Sequence, residues 1–178
     1  MIDLKGSVGL VTGSATGAGA AIALALAEKG AGVCINYSRS RDEAEETLKK
    51  VKSLGVPATI YKADVTDQDA SASMVEHTVS ELGSLDVLVN NAGHSSQYRK
   101  LLTSTPDDMQ SVLNSNLLGT IYLTQSVIPI MLNQKQGTVI NLSSMAGVNP
   151  GLLAGMIYSS VKSAIINFTS FLNAEFKN

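Results

Sequence analysis

The stretch Thr12-Gly13-Ser14-Ala15-Thr16-Gly17-Ala18-Gly19 joins an apolar run that begins at Val8 to an alanine-rich segment containing Ile22 and Leu26. This order predicts a strand, a glycine turn and the first turn of a helix. Glycines in such a turn let the backbone approach a pyrophosphate, whose charge the helix N-terminus stabilises. The spacing is Gly-x-x-x-Gly-x-Gly, so a plain strand-to-helix turn is the alternative interpretation of this stretch alone.

Apolar runs alternate with helical patterns along the rest of the chain. The predicted strands are Val8 to Thr12, Val33 to Tyr37, Thr59 to Ala63, Leu85 to Asn90 and Thr138 to Leu142. Thr66 with Asp69 resembles a capping box for one helix, and Thr105 followed by Pro106 marks the start of another. Such alternation predicts an α/β fold with a parallel sheet. No linker divides the chain, so we expect one domain over residues 1–178.

Charge and composition exclude several classes of protein. The 178 residues include 13 Lys and Arg against 15 Asp and Glu, without a basic cluster, which argues against nucleic acid or a membrane as partner. No leader pattern or apolar run of bilayer length is present, and the single Cys34 forms no internal disulfide, so a cytoplasmic location is expected. No group of residues has metal-ligand spacing, and no metal is predicted.

The segment after the second predicted strand bears on cofactor choice. In a dinucleotide-binding fold this is where the adenosine ribose lies, and an acidic residue there would accept from its 2′-hydroxyl. The chain instead has Ser38 and Arg39, which suit a 2′-phosphate. NADP(H) is therefore favoured over NAD(H), the alternative being that Arg39 is a solvated residue at a helix start.

Tyr158 and Lys162 are four residues apart and precede an apolar, helix-compatible run. On a helix their side chains would share one face. A lysine ammonium near a phenol favours the phenolate, which makes proton exchange with a substrate oxygen feasible. An amphipathic helix with a solvated lysine is the alternative.

Taken in order, six motifs resemble the short-chain dehydrogenase/reductase family. They are TGSATGAG, Asp64-Val65, Asn90-Asn91-Ala92-Gly93, Asn116 in NSNLLGT, Ser143-Ser144 after VINL, and YSSVK at Tyr158 to Lys162. The texture is closest to the 3-oxoacyl-acyl-carrier-protein reductases. The resemblance implies a Rossmann-type, doubly wound parallel sheet with helices on both faces.

The resemblance also implies roles for individual residues. The implied cofactor-binding residues are Gly13, Ser14, Ala15, Thr16, Gly17, Gly19, Ser38, Arg39, Asp64, Val65, Asn91, Ala92, Gly93, Tyr158 and Lys162. Tyr158 would be the general acid or base, with Lys162 activating it and holding the nicotinamide ribose. Ser144 would orient the substrate carbonyl and Asn116 would support a proton relay, while Ser143 is expected to close the strand.

Members of the family typically continue beyond the point that corresponds to Asn178. The missing part normally supplies a further strand, half of the nicotinamide pocket and most of the substrate lid. We therefore expect the fold to be truncated at its C-terminal side, with the last strand's free edge either covered by a partner or belonging to a longer chain.

Two classes of function follow. The first is an NADP(H)-dependent oxidoreductase that transfers hydride between nicotinamide and a carbonyl or alcohol, either a 3-oxoacyl thioester or a small ketone, as a homodimer or homotetramer. The second is a catalytically silent dinucleotide-binding or subunit-interaction protein. A fragment of a longer reductase is a third possibility.

Overall fold

Five parallel strands form one sheet: β1 (Val8–Val11), β2 (Gly32–Tyr37), β3 (Ala58–Lys62), β4 (Val87–Asn90) and β5 (Thr138–Asn141). Their spatial order is β3-β2-β1-β4-β5. This computed structural model describes residues 3–149, 151 and 153–176. All five predicted strands are present, with ends that differ from the prediction by at most two residues.

Helices cover both faces of the sheet. They are α1 (Gly17–Glu28), α2 (Arg41–Ser53), α3 (Gln68–Leu82), α4 (Pro106–Leu113), α5 (Gly119–Gln134) and α6 (Met156–Phe176). A π-helical turn, Asn114–Leu118, joins α4 to α5, and short 3₁₀ turns occur at Leu101–Thr103 and Met145–Gly147. The predicted Rossmann-type architecture is confirmed.

Alternate residues of the strands fill two separate cores. On β1, Leu10 faces the core beneath α3 and α5, and Val11 faces the core beneath α1 and α2, as the two-residue period of a strand requires. Cys34 is fully buried in the first of these cores, and burial raises the pKa of its thiol to about 11. The thiol fills space in this core.

One predicted helix start is wrong. The cap of α3 is Asp67, whose side chain accepts from the Ala70 N–H at 3.0 Å. Thr66 instead donates its hydroxyl to Asp64 Oδ1 at 2.8 Å, because that carboxylate also accepts the Thr66 N–H and holds it in a turn before the helix. At α4 the prediction is confirmed, since the Thr105 hydroxyl accepts from the Asp108 N–H.

The order of the strands determines where on the sheet the site lies. The chain leaves β1 toward β2 on one side, and β4 lies on the other side of β1. Connections that diverge in this way open a crevice at the carboxyl ends of the strands. The glycine turn after β1 and the Asn91 turn after β4 both lie there.

Candidate active site

A buried asparagine holds the glycine turn from the β2 side. Asn36 is 2% exposed; its Oδ1 accepts from the Gly13 N–H at 3.0 Å and its Nδ2 donates to the Ala63 carbonyl at 3.1 Å. Gly13 and Gly17 have φ of 59° and 58°, which favour glycine. The turn is thereby fixed to both β2 and the end of β3.

The same turn is held from the β4 side by Thr12 and Asn91. The Thr12 hydroxyl accepts from the N–H groups of Asn91 and Ala92, both at 2.9 Å. In return, Asn91 Nδ2 donates to the Thr12 carbonyl at 2.7 Å. The two turns at the carboxyl edge are therefore joined by backbone and side chain together.

Gly19 lets α1 begin close against this pair of turns. A Cβ added at Gly19 would lie 2.6 Å from Asn91 Nδ2 and 2.9 Å from Ser14 Cα. Any side chain would push α1 away from the crevice, because such separations are far below van der Waals contact. The third glycine of the motif is thus required by packing.

A cleft of about 630 Å³ opens beside these turns. Of the residues expected to bind the cofactor, it brings together Gly13, Ser38, Arg39, Asp64, Val65, Asn91, Ala92 and Gly93. Thr16 and Gly17 are exposed at the start of α1. Ser14 and Ala15 are buried behind the turn, where the Ser14 hydroxyl donates to the Val11 carbonyl.

The charged side chains at the cleft differ in whether they have a partner. Arg39 is exposed and makes no ion pair within the described residues, whereas the neighbouring Arg41 pairs with Glu45 at 2.9 Å. The Asp64 carboxylate accepts two hydrogen bonds from Thr66. The guanidinium of Arg39 is therefore available to an anionic ligand in the cleft.

A smaller cleft of about 240 Å³ adjoins the first. It is lined by Asn91, Gly93, His94, Ser95, Asn116, Leu142, Ser143, Tyr158 and Lys162, and the first three residues also line the larger cleft. The expected dinucleotide-binding residues and the Tyr158/Lys162 pair thus meet along one continuous surface.

Tyr158 and Lys162 lie on one face of α6, as their spacing predicts. Lys162 is 6% exposed, its Nζ donates to the Leu142 carbonyl at 2.8 Å, and Nζ lies 5.6 Å from the centroid of the Tyr158 ring. Burial lowers the pKa of Lys162. The cation is held between the end of β5 and the phenol.

The two serines after β5 have different surroundings. Ser144 accepts from the Ala146 N–H and caps the 3₁₀ turn, and it does not line the small cleft in the part of the chain that is described. Ser143 lines that cleft, with its hydroxyl donating to the Lys162 carbonyl at 2.8 Å. The role expected for Ser144 stays a prediction.

Asn116 lies in the π-helical turn, a distortion found often at functional sites. It is 1% exposed, and its Nδ2 donates to the His94 carbonyl at 2.9 Å and the Val112 carbonyl at 3.1 Å. Its Oδ1 has no partner among the described residues. Gly93 packs against this amide, since a Cβ there would lie 2.8 Å from Asn116 Cγ.

Comparison with known proteins agrees with this arrangement. The chain matches the short chain dehydrogenase family over residues 7–178. It belongs to that family.

Relatives and solved structures extend well past the matched region. The chain is 40% identical over 162 residues to a 3-oxoacyl-[acyl-carrier-protein] reductase of Staphylococcus aureus, covering 90% of this chain and 64% of the relative. A counterpart from Thermotoga maritima is 36% identical over 168 residues, covering 93% and 66%. The crystal structure of NAD⁺-bound xylitol dehydrogenase superposes with a TM-score of 0.92 at 32% identity, covering 98% and 66%. The chain therefore spans about two thirds of these proteins' length, or slightly less.

Two residues at the site were not anticipated from the sequence, Thr12 and Asn36. His94, which could face substrate or be an exposed loop residue, lines both clefts. Thr12 and Asn36 act through partners 22 to 80 residues away, which no local pattern indicates. His94 directly follows the Asn91 turn, so its adjacency to that motif was the available signal.

Neither a metal-binding cluster nor a membrane-spanning helix occurs in the described part of the chain. No group of three or more His, Cys, Asp or Glu side chains in residues 3–149, 151 and 153–176 is arranged to hold a metal ion. Within those same ranges, no helix combines the length and the apolar character needed to cross a bilayer.

Proposed function

We propose that this chain, a single domain over residues 1–178, functions as an NADP(H)-dependent oxidoreductase. The reaction would interconvert a carbonyl compound and its alcohol. The observation that carries the proposal is the placement of Tyr158 and Lys162 on a small cleft that shares three lining residues with the larger one. A proton-exchanging phenol beside a dinucleotide is suited to hydride-transfer chemistry.

The larger cleft fits a dinucleotide. The close approach of Gly13, Gly19 and Asn91 leaves bare backbone at the start of α1, where a helix of 12 residues presents its N–H groups to a pyrophosphate. Asp64 and Val65 would contact the adenine, and Asn91, Ala92 and Gly93 would line the ribose side. When bound, the cofactor supplies or accepts the hydride at its nicotinamide ring.

Ser38 and Arg39 support NADP(H) over NAD(H), although the xylitol dehydrogenase structure holds NAD⁺. Arg39→Gln should raise the Kd for NADPH by about tenfold, the scale of a lost charge-assisted hydrogen bond, while leaving that for NADH unchanged. Arg41→Gln is the matched control, because Arg41 is already paired with Glu45. Equal Kd values for NADPH in both variants would contradict the assignment.

Side chains of the protein would donate and remove the proton that accompanies hydride transfer. Tyr158 would donate it to the substrate oxygen during reduction and take it back during oxidation, with the buried Lys162 ammonium favouring the phenolate. Ser144 would orient the carbonyl and Asn116 would support the relay of protons away from Tyr158. Lys162 would exchange the Leu142 carbonyl for the nicotinamide ribose as acceptor.

The relatives' names suggest the substrate class. A 3-oxoacyl thioester is proposed first, because the Staphylococcus aureus and Thermotoga maritima relatives are 3-oxoacyl-[acyl-carrier-protein] reductases; a small ketone or polyol is the alternative. Oxidation of NADPH, followed by absorbance with a panel of 3-oxoacyl thioesters, simple ketones and ketoses, distinguishes them.

Tyr158→Phe tests the mechanism directly. The variant should lose kcat by about 10²–10⁴-fold, the usual contribution of a general acid, with little change in NADPH binding. Tyr122→Phe on α5 is the control and should keep both properties. Undiminished turnover in Tyr158→Phe would exclude the proposed role of the phenol.

A second candidate is a dinucleotide-binding or subunit-interaction protein without turnover. It is favoured by the side chains of Ser144 and Lys162, which both form hydrogen bonds with the chain's own backbone. Saturable NADPH binding, read from the fluorescence of the reduced nicotinamide, without oxidation by any member of the substrate panel would support this candidate.

A further inference from the structure

Two asparagines lie side by side at the strand ends that border the small cleft. Asn90 is the last residue of β4 and Asn141 the last of β5, and the sheet register pairs them directly. Asn90 Nδ2 donates to Asn141 Oδ1 at 2.9 Å. Their side chains therefore join the two strands at the edge of the sheet where the site lies.

Each of these asparagines also contacts a helix. Asn141 Nδ2 donates to the Thr169 hydroxyl of α6 at 2.9 Å, and Asn90 Nδ2 donates to the Thr124 hydroxyl of α5 at 3.3 Å. Both threonines donate their own protons to backbone carbonyls one turn earlier in their helices. The two amides thus link both helices to the ends of both strands.

The face of α6 that Asn141 contacts is the face that carries Lys162. Thr169 lies seven residues after Lys162, which places the two side chains two turns apart on one side of the helix. Lys162 Nζ donates to the carbonyl of Leu142, the residue directly after Asn141, at 2.8 Å. The Ser143 hydroxyl donates to the Lys162 carbonyl at 2.8 Å. Three consecutive residues of the chain therefore each form a hydrogen bond with α6.

The Leu142 peptide group depends on this arrangement for its position. Its N–H donates to the Asn90 carbonyl at 3.0 Å, one residue beyond the end of β5. Within the described residues β5 pairs with β4 alone, and strand ends open more readily than strand centres. The side-chain bonds of Asn141 hold this end to β4 on one side and to α6 on the other.

We propose that Asn141 is a positioning residue of the active site: by joining Asn90 to Thr169, it fixes the Leu142 carbonyl against the Lys162 ammonium. Asn141 itself lines neither cleft in the described part of the chain, so it acts through Lys162 and not on a ligand. The importance of this contact for catalysis rests on the proposed function, whereas the position of Lys162 can be measured without turnover.

Amide hydrogen exchange followed by NMR tests whether Asn141 fixes the strand end. Asn141→Leu keeps the approximate size of the side chain and removes both of its hydrogen bonds. The Leu142 amide should then exchange about tenfold faster relative to the Thr138 amide, which is bonded to the Asp86 carbonyl at the other end of β5, because the opening is local. Equal acceleration at both amides would indicate a loss of global stability alone and would overturn the proposal.

Thr78→Val is the control for the exchange experiment. It removes a buried hydroxyl on α3 that donates to the Met74 carbonyl, so it should affect the two amides of β5 equally.

A ¹³C NMR titration of the Lys162 ε-carbon tests the second step. Burial already lowers the pKa of Lys162, and in Asn141→Leu this pKa should fall further, because the buried ammonium loses a fixed acceptor. His94 and Tyr158, the other titratable side chains in the described lining of the small cleft, are unchanged in the variant. An unshifted titration of Lys162 would overturn the proposal.

Thr169 provides a matched pair of variants that leaves Asn141 in place. Thr169→Val removes the hydroxyl that accepts from Asn141 Nδ2 and should shift both NMR readings in the same direction as Asn141→Leu. Thr169→Ser keeps the hydroxyl and should retain the native values. Identical readings for the two Thr169 variants would contradict the role of this hydrogen bond.

Turnover separates this inference from the proposed function. With a substrate that the native chain reduces, Asn141→Leu should lower kcat about tenfold or more, since proton transfer is sensitive to displacements of the catalytic groups. Native kcat together with a shifted Lys162 titration would exclude a positioning role. If the native chain oxidises NADPH with no substrate, the proposed function fails, and the two NMR readings still decide whether Asn141 fixes Lys162.

Discussion

Asn36 joins three parts of the molecule with a single side chain. It accepts from Gly13 of the glycine turn and donates to Ala63 at the end of β3, from a position on β2 that is almost fully buried. Since the hydrogen bond to Ala63 is buried and the one to Gly13 is part-buried, water cannot replace the amide without rearrangement.

Asn36→Ala should therefore lower the free energy of unfolding by about 1–3 kcal/mol, the cost of leaving buried partners unsatisfied, and weaken NADPH binding. Urea denaturation and nicotinamide fluorescence measure the two effects. Asn133→Ala, at an exposed position on α5, is the control. A stability loss with unchanged NADPH affinity would show that Asn36 supports the sheet but not the turn.

Lys162 makes stability depend on pH in a defined direction. Burial lowers its pKa from the ordinary 10.5, so between the lowered and the ordinary value the unfolded chain binds the proton that the folded chain has released. Stability then rises with pH across that window and is lost as pH falls through the folded pKa.

Lys162→Met should remove this alkaline rise in the free energy of unfolding. Denaturation curves collected from neutral pH to about pH 10, where an ordinary lysine still holds its proton, measure it. Lys52→Met, on the exposed surface of α2, should keep the rise. Identical pH profiles for Lys162→Met and the native chain would contradict the assignment.

At the scale of elements, α5 begins unusually close to the loop after β3. A Cβ at Gly119 would lie 2.9 Å from both the carbonyl oxygen and Cγ2 of Val65, a residue that lines the larger cleft. Alanine is the better helix former by about 1 kcal/mol, but the separation from a backbone oxygen is too short to relax locally.

Gly119→Ala should consequently destabilise the protein by about 1–3 kcal/mol, the usual cost of overpacking, despite its helix propensity. Thermal or urea unfolding gives the sign. Gln125→Ala, exposed on the same helix, should be neutral or slightly stabilising. A more stable Gly119→Ala would mean that α5 can move away from Val65 at little cost.

The elements were predicted well because their signals are local. Apolar runs located all five strands, and Thr105-Pro106 located the start of α4. The π-helical turn at Asn114–Leu118 could not be read from the sequence, since its residues differ only in hydrogen-bond register from an ordinary helix. The cap of α3 failed for a similar reason: Thr66 and Asp67 are both good caps, and the contact with Asp64 decides between them.

At the scale of the whole molecule, the site was predicted as a set of residues but not as an arrangement. The motifs after β1, β3 and β4 supply walls of the larger cleft, because each follows a strand at the same edge of the sheet. Asn116 and the Tyr158/Lys162 pair line the smaller cleft from the π-helical turn and from α6. The supports from Thr12 and Asn36 were missed, since hydrogen bonds between distant segments leave no periodic signal. The serine placement depends on the 3₁₀ turn at Met145–Gly147, which has no distinct sequence signature.

The sheet also has an open side. Strand β5 pairs only with β4 among the described residues, and Ile140 on it is 44% exposed. Unpaired N–H and C=O groups beside an exposed apolar side chain can accept a further strand, either from a longer chain or from another copy of this one.

Ile140→Lys should reduce concentration-dependent association of the 178-residue chain while changing its free energy of unfolding by less than about 0.5 kcal/mol, as for other surface substitutions. Sedimentation velocity over a range of concentrations measures the effect. Leu54→Lys is a closely matched control, because Leu54 is also 44% exposed but lies at the end of α2. Equal association in both variants would exclude β5 as the contact.

The bracing of the glycine turn from two sides has a thermodynamic consequence. With Gly13 fixed by Asn36 and its neighbour Thr12 fixed to Asn91, the turn is preorganised before any ligand arrives, so binding orders little additional backbone. Calorimetry should then give a small conformational-entropy penalty for the pyrophosphate moiety. Removing either brace would transfer that penalty to the ligand and convert a rigid receptor into one that folds upon binding.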